Sequence, residues 1–116
     1  MPASATAVSD AVVEVARGVV RKDFATGSKG FHAQGKLVID GERYQAQVQA
    51  ILVGSKTDPA ARVIVKDEAM RQALATFAED MAPRVFSSGK AGWYIQGKIN
   101  VGGQRFQSSA QAVLLE

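Results

Sequence analysis

Four cations stand in matched pairs along this chain, Lys36 with Lys98 and Arg43 with Arg105, each pair 62 residues apart. Amides keep the same spacing, Gln34 with Gln96 and Gln45 with Gln107, and so do two rings, His32 and Tyr94. Lysine and arginine neutralise phosphates, amides bond to base edges and sugars, and an imidazole or phenol offers a plane for stacking. Together these residue types suit the capture of a single-stranded polyanion rather than bond-breaking.

Catalytic chemistry has little to work with. Cysteine is absent and His32 is the single histidine, which excludes a thiol nucleophile, a thiolate metal site and a paired-imidazole zinc site within one chain. No metal, cofactor or enzyme activity is expected. Gly30 to Lys36 and Gly92 to Lys98 have the G-x4-G-K spacing of a phosphate loop. That loop needs a following Ser or Thr and a helix to receive the anion, whereas Leu37 and Ile99 follow here within a strand pattern. His32 has no evident base or acid partner, and Tyr94 occupies its matched position. Asp67, Glu68, Glu79 and Asp80 flank a helix pattern, where capping and solvation account for them.

The elements that carry the matched residues form a repeat. A shift of 62 superposes Phe24–Val53 on Phe86–Leu115 without a gap, with 12 identities in 30 positions. From Gly30 the pattern has period two: Phe31, Ala33, Leu37 and Ile39 on one side, His32, Gln34, Lys36 and Val38 on the other. Asp40-Gly41 reads as a two-residue hairpin turn, since both residues tolerate positive φ. The returning strand puts Tyr44, Ala46, Val48, Ala50 and Leu52 on the apolar side and Arg43, Gln45, Gln47 and Gln49 on the polar side. The turn pairs Leu37 with Tyr44, Gly35 with Ala46, Lys36 with Gln45, Gln34 with Gln47 and His32 with Gln49. The second hairpin repeats this around Gly102-Gly103, burying Trp93, Ile95, Ile99, Val101, Phe106, Ala110 and Ala112. The small pairs Gly35/Ala46 and Gly97/Ser108 predict where helices cross the sheet.

Before each hairpin lies an apolar stripe at helical spacing. Val8, Ala11, Val12, Val15, Ala16 and Val19 predict a helix over residues 8–20, with Ser9 able to cap it and Arg21 and Lys22 suited to its end. Met70, Ala73, Leu74, Phe77, Ala78 and Met81 predict a second over 68–82, capped by Asp67 and stopped before Pro83. Met1 to Ala7 reads as a loose terminus. Residues 62–66 have the composition of an extra strand, and Phe24 and Phe86 read as core.

The expected architecture is α+β: an α-β-β-α-β-β two-layer sandwich with a four-stranded antiparallel sheet and two helices on one face. It forms a single domain over residues 1–116, with pseudo-symmetric halves at about 8–54 and 67–116 and a connector at 55–66. No apolar run approaches the roughly 20 residues of a membrane helix, and the N-terminal stretch lacks a basic start, so a cytoplasmic location without membrane contact is expected. Net charge is +3, which permits an anionic partner without demanding one.

The uncovered sheet face is expected to carry cations, amides and rings but no carboxylate, whereas an ordinary solvated face mixes both signs. The favoured expectation is therefore a small, non-enzymatic protein that binds single-stranded DNA or RNA on that face. The rival is a structural or adaptor module that forms a homodimer or binds a protein through the same face or its strand edges. An enzyme or small-ligand carrier would need a deep pocket, which a flat sheet does not supply.

Overall fold

The computed structural model describes residues 5–58 and 60–115. Among these residues two α-helices and six strands, with a 3-10 turn at Ser55–Thr57 after the third strand, occur in the order α1 (Ala5–Ala16), β1 (Val20–Asp23), β2 (Lys29–Ile39), β3 (Glu42–Leu52), α2 (Asp67–Ala78), β4 (Ala82–Val85), β5 (Ala91–Val101) and β6 (Gln104–Leu115). All strands belong to one antiparallel sheet, ordered β1-β2-β3-β6-β5-β4. The fold is thus α+β, but the sheet has six strands where the hairpin pattern predicts four, and each half reads α-β-β-β.

The two additional strands come from stretches assigned to helix ends. Both helices stop four residues earlier than their stripes predict, at Ala16 and Ala78. Val20–Asp23 and Ala82–Val85 then pair along β2 and β5. With only four residues each and no buried side chain, they lack the alternation that identifies a strand. Arg21 and Lys22 are strand residues rather than a helix terminus. The turns that join β1 to β2 and β4 to β5 are tight: Gly27 N–H donates to Phe24 O at 2.9 Å and Gly89 N–H to Phe86 O at 2.8 Å. Gly27 and Gly89 take φ of 94° and 88°, as the left-handed residue of such a hairpin requires.

The long hairpins follow their predicted register throughout. Leu37 faces Tyr44, Gly35 faces Ala46, Lys36 faces Gln45, Gln34 faces Gln47 and His32 faces Gln49. Asp40 and Gly41 have φ of 51° and 80°, and Gly102 and Gly103 of 57° and 83°, the paired positive values of a type I′ turn. β3 and β6 meet at the centre, where Val48 lies directly opposite Ala110. Those two residues are themselves 62 apart, so a pseudo-two-fold axis passes between them, perpendicular to the sheet.

Helices cover one face. Val8, Val12 and Ala16 of α1 and Met70, Leu74 and Ala78 of α2, each an i, i+4, i+8 row, are fully buried. They meet Phe31, Tyr44, Ala46, Val48, Ala50, Phe106, Ala110 and Ala112. Burying each of the larger side chains contributes about 1.5–3 kcal/mol, which offsets the modest helix propensity of a valine-rich α1. The expected crossing over small residues holds in one half: a Cβ at Gly97 would lie 3.7 Å from Phe77, but one at Gly35 would meet nothing within 4 Å. Trp93, Ile95 and Ile99 are half-buried rather than buried, because α2 covers β5 less completely than the two helices together cover the centre.

Other local expectations are corrected. Residues 62–66, where the sequence leaves a fifth strand open, form none and run as irregular connector. Arg21 donates to Val63 O at 2.8 Å and to Val65 O at 2.6 Å, and Gln104 binds Arg62 O and Ile64 N–H, so side chains rather than a ladder satisfy this backbone. Ser9 lies inside α1 and donates to Ala78 O at 3.2 Å, tying the helices together instead of capping. Asp67 is the first residue of α2, and its carboxylate accepts from Arg21 Nε at 2.9 Å. The loose terminus expected over Met1 to Ala7 falls outside the described residues for 1–4, while Ala5 onward is helix. Among the described residues, no helix is long and apolar enough to cross a membrane.

Candidate nucleic-acid interface

The open face of the sheet is built by strand alternation alone. With the odd residues of β2 and the even residues of β3 turned toward the helices, the opposite set must face outward. The register brings every predicted site residue to this one face: His32, Gln34 and Lys36 on β2, Arg43 and Gln45 on β3, Tyr94, Gln96 and Lys98 on β5, Arg105 and Gln107 on β6. Gln47, Gln49, Ser109 and Gln111 complete its centre.

The structure adds four residues to that set. Phe24 and Phe86, expected in the core, are half-buried on the open face. Phe24 meets His32 edge-on at 6.3 Å between ring centroids, and Phe86 meets Tyr94 edge-on at 6.1 Å. Lys22 Nζ lies 5.4 Å from the Phe24 centroid. The Arg84 guanidinium lies 5.4 Å from Phe86 and 4.4 Å from Tyr94. Each half therefore presents a cation beside two touching rings: Lys22 lies over Phe24, which meets His32, and Arg84 lies over both Phe86 and Tyr94. An exposed cation–π contact contributes about 0.5–1 kcal/mol, enough to bias the side chain's position while leaving the charge facing solvent. The 62-residue shift also matches Lys22 with Arg84 and Phe24 with Phe86. That match could have located the clusters; the helix assignment hid it.

Register places the cations in two rows across the sheet. One row runs Lys36, Gln45, Val113, Gly92, Arg84. The other runs Lys22, Gly30, Ile51, Gln107, Lys98. Each has a cation at both ends, four strand spacings or roughly 19 Å apart. The rows are six residues apart along β6, from Gln107 to Val113, or roughly 20 Å. Arg43 sits diagonal to Lys36, and Arg105 diagonal to Lys98, one step beyond each row. Between the rows lies an uncharged field of amides with His32 and Tyr94.

No carboxylate stands on this face among the described strand residues. Asp23 and Glu42 pair with Lys29 and Ile39, on the helix side. Neither ion pair among the described residues involves a cation of the face: Arg17 meets Glu14 and Arg21 meets Asp67. Local polar contacts order the field. Tyr94 Oη donates to Gln96 Oε1 at 2.6 Å, and Gln47 Nε2 to Gln49 Oε1 at 3.2 Å. The His32 pKa is lowered, first by burial and then by the positive charge of Lys22, so at neutral pH the ring is uncharged.

Glycine shapes the flanks. A Cβ on Gly30 would collide with the Ala50 carbonyl, and one on Gly92 with the Ala112 carbonyl and, at 2.8 Å, with Phe86. The bare glycine lets neighbouring strands close and, on β5, lets the Phe86 ring lie against the sheet.

Among the described residues no group of His, Cys, Asp or Glu is placed to hold a metal. Cavities lie at the edges of the sheet and on the helices: one of about 440 Å³ is lined by Arg21, Lys22, Lys29, Gly30 and the connector, one of about 270 Å³ by Pro83, Arg84, Gly92, Trp93 and Leu114, and two of about 510 and 570 Å³ by residues of the helices and their flanks. Compared with known protein families, curated proteins and solved structures, the chain matches none.

Proposed function

We propose that this is a small non-enzymatic protein that binds single-stranded DNA or RNA across the open sheet face. The observation that carries the reading is a face with six cations, Lys22, Lys36, Arg43, Arg84, Lys98 and Arg105, four clustered rings and no carboxylate among the described strand residues. Phosphates would meet the cations, and unpaired bases would stack on the Tyr94 and His32 clusters. Gln34, Gln45, Gln96 and Gln107 would make polar contacts that discriminate little between bases. A chain without cysteine suits a cytoplasmic setting.

The rival reading is a structural or adaptor module that pairs with itself or another protein through the sheet face or the strand edges, and its strand-edge form has less support. Phe86 N–H bonds inward to Lys90 O at 2.8 Å, so strand alternation turns Pro83 and Val85 outward on the β4 edge. Proline has no N–H to offer a neighbouring strand, which blunts that edge. On β1, Arg21 reaches out to hold the connector.

Fluorescence anisotropy with a labelled single-stranded oligonucleotide at two salt concentrations, beside a duplex of the same sequence, tests the proposal. Salt-sensitive binding that prefers the single strand is the expected result. Equal affinity for both, or no binding at low salt, would return the face to a solubilising role.

A further inference from the structure

The pseudo-two-fold axis between Val48 and Ala110 has a consequence for any polymer lying on the face. A nucleic-acid strand has a direction, and rotation by 180° about an axis perpendicular to the sheet reverses it. The two cation rows are exchanged by that rotation. The row from Arg84 begins at an aromatic cluster and ends at Lys36 with Arg43 beside it. The row from Lys22 begins at the matching cluster and ends at Lys98 with Arg105 beside it. They start at opposite edges of the sheet and run in opposite senses. A single strand crossing both clusters would meet the second one backwards, whereas two antiparallel segments would each meet the same arrangement in the same sense.

We infer that the face holds two single-stranded segments at once, antiparallel, one along each row. This rests on the nucleic-acid reading and narrows it: the ligand is a pair of unpaired strands, or one strand folded back on itself, rather than a single extended chain. Three features support it. Each row carries its own stacking cluster and its own pair of terminal cations, so each is a complete track by the chemistry of single-strand binding. The rows lie roughly 20 Å apart, which leaves room for both sets of bases. The strip between them is uncharged and rich in amides, which can bond base edges from either side without excluding them. A protein so built would bring complementary strands together in the orientation that base pairing needs.

The test uses an oligothymidylate of about six nucleotides, short enough to occupy one track. Isothermal titration should give two oligonucleotides per chain. The double variant Arg84→Glu with Lys36→Glu, which disables one row, should give one. Donor and acceptor dyes should transfer energy more strongly when one oligonucleotide is labelled at its 5′ end and the other at its 3′ end than when both carry 5′ labels. One oligonucleotide per wild-type chain, or stronger transfer between like ends, would overturn the paired-strand inference and leave single-strand binding standing. No binding of any oligonucleotide would take both down together.

Discussion

Reversing two charges should remove most of the binding and most of its salt dependence. The perturbation is Lys36→Glu with Lys98→Glu, one change at the end of each row. Binding single strands releases counterions with a slope of about −0.7 per phosphate neutralised. With six face cations engaged, log K should fall against log salt with a slope of about −4, an approximately 300-fold loss between 50 and 200 mM. The double reversal removes two positive charges and adds two negative ones, leaving an effective count of about two and a slope of about −1.4. If the two lines converge near 1 M salt, where the ionic contribution vanishes, the variant should bind roughly three-thousandfold more weakly at 50 mM.

Anisotropy titrations at four or five salt concentrations measure both slopes directly. Circular dichroism and urea unfolding should stay unchanged, because both lysines are exposed and neither joins an ion pair among the described residues. A wild-type slope shallower than about −1, or a variant within threefold of wild type at 50 mM, would show that the cations do not act together.

Three further outcomes are expected. Gly92→Ala should lower stability by about 2–3 kcal/mol, since the new methyl meets the Ala112 backbone rather than a movable side chain, and a urea midpoint within experimental error of wild type would refute the close approach. Ser108→Ala should raise stability by about 1 kcal/mol, because the Ser108 hydroxyl is fully buried without a hydrogen-bond partner and Ala46 fills the matched place; a lowered midpoint would reveal a partner for it. The depressed His32 pKa means the unfolded chain takes up that proton more readily, so stability should fall as pH drops through 6.5 and below, and His32→Tyr should lose part of that fall; parallel stability–pH curves for the two proteins would contradict it.

The parts of this fold legible in the sequence are those in which two independent signals coincide. In the long hairpins, turn chemistry at Asp40-Gly41 and the alternation around it specify one register, and a slip of one residue would turn Tyr44 and Val48 outward. At Val20–Asp23 and Ala82–Val85 the signals conflict. Val19 is buried and continues the helical stripe of Val8 and Val12, and Pro83 carries a helix-stop meaning as well as an edge-strand one. The site was legible where its residues alternate along long strands, as with His32, Gln34 and Lys36. Phe24 and Phe86 were misread because an isolated phenylalanine beside a glycine turn carries no periodicity, and burial is the usual fate of that residue type. Their half-buried place on the open face depends on the short strands that bring Lys22 and Arg84 alongside.

The distribution of identities between the two halves bears on whether the open face is more than a solvated surface. Residues under the helices are constrained by packing, whereas a solvated face tolerates change. Yet seven of the 12 identities lie on the open face: Phe24/Phe86, Gly30/Gly92, Gln34/Gln96, Lys36/Lys98, Arg43/Arg105, Gln45/Gln107 and Gln49/Gln111. Three lie on the helix side, Gly35/Gly97, Ala50/Ala112 and Leu52/Leu114. The remaining two are the turn glycines Gly27/Gly89 and Gly41/Gly103, which backbone conformation explains. Crowding against the neighbouring strand accounts for Gly30/Gly92. Packing and backbone geometry leave the other six unexplained. They are one ring pair, two cation pairs and three amide pairs, the same groups that the proposed strand tracks would use, and a common ligand chemistry in both halves is the physical demand that would keep them alike.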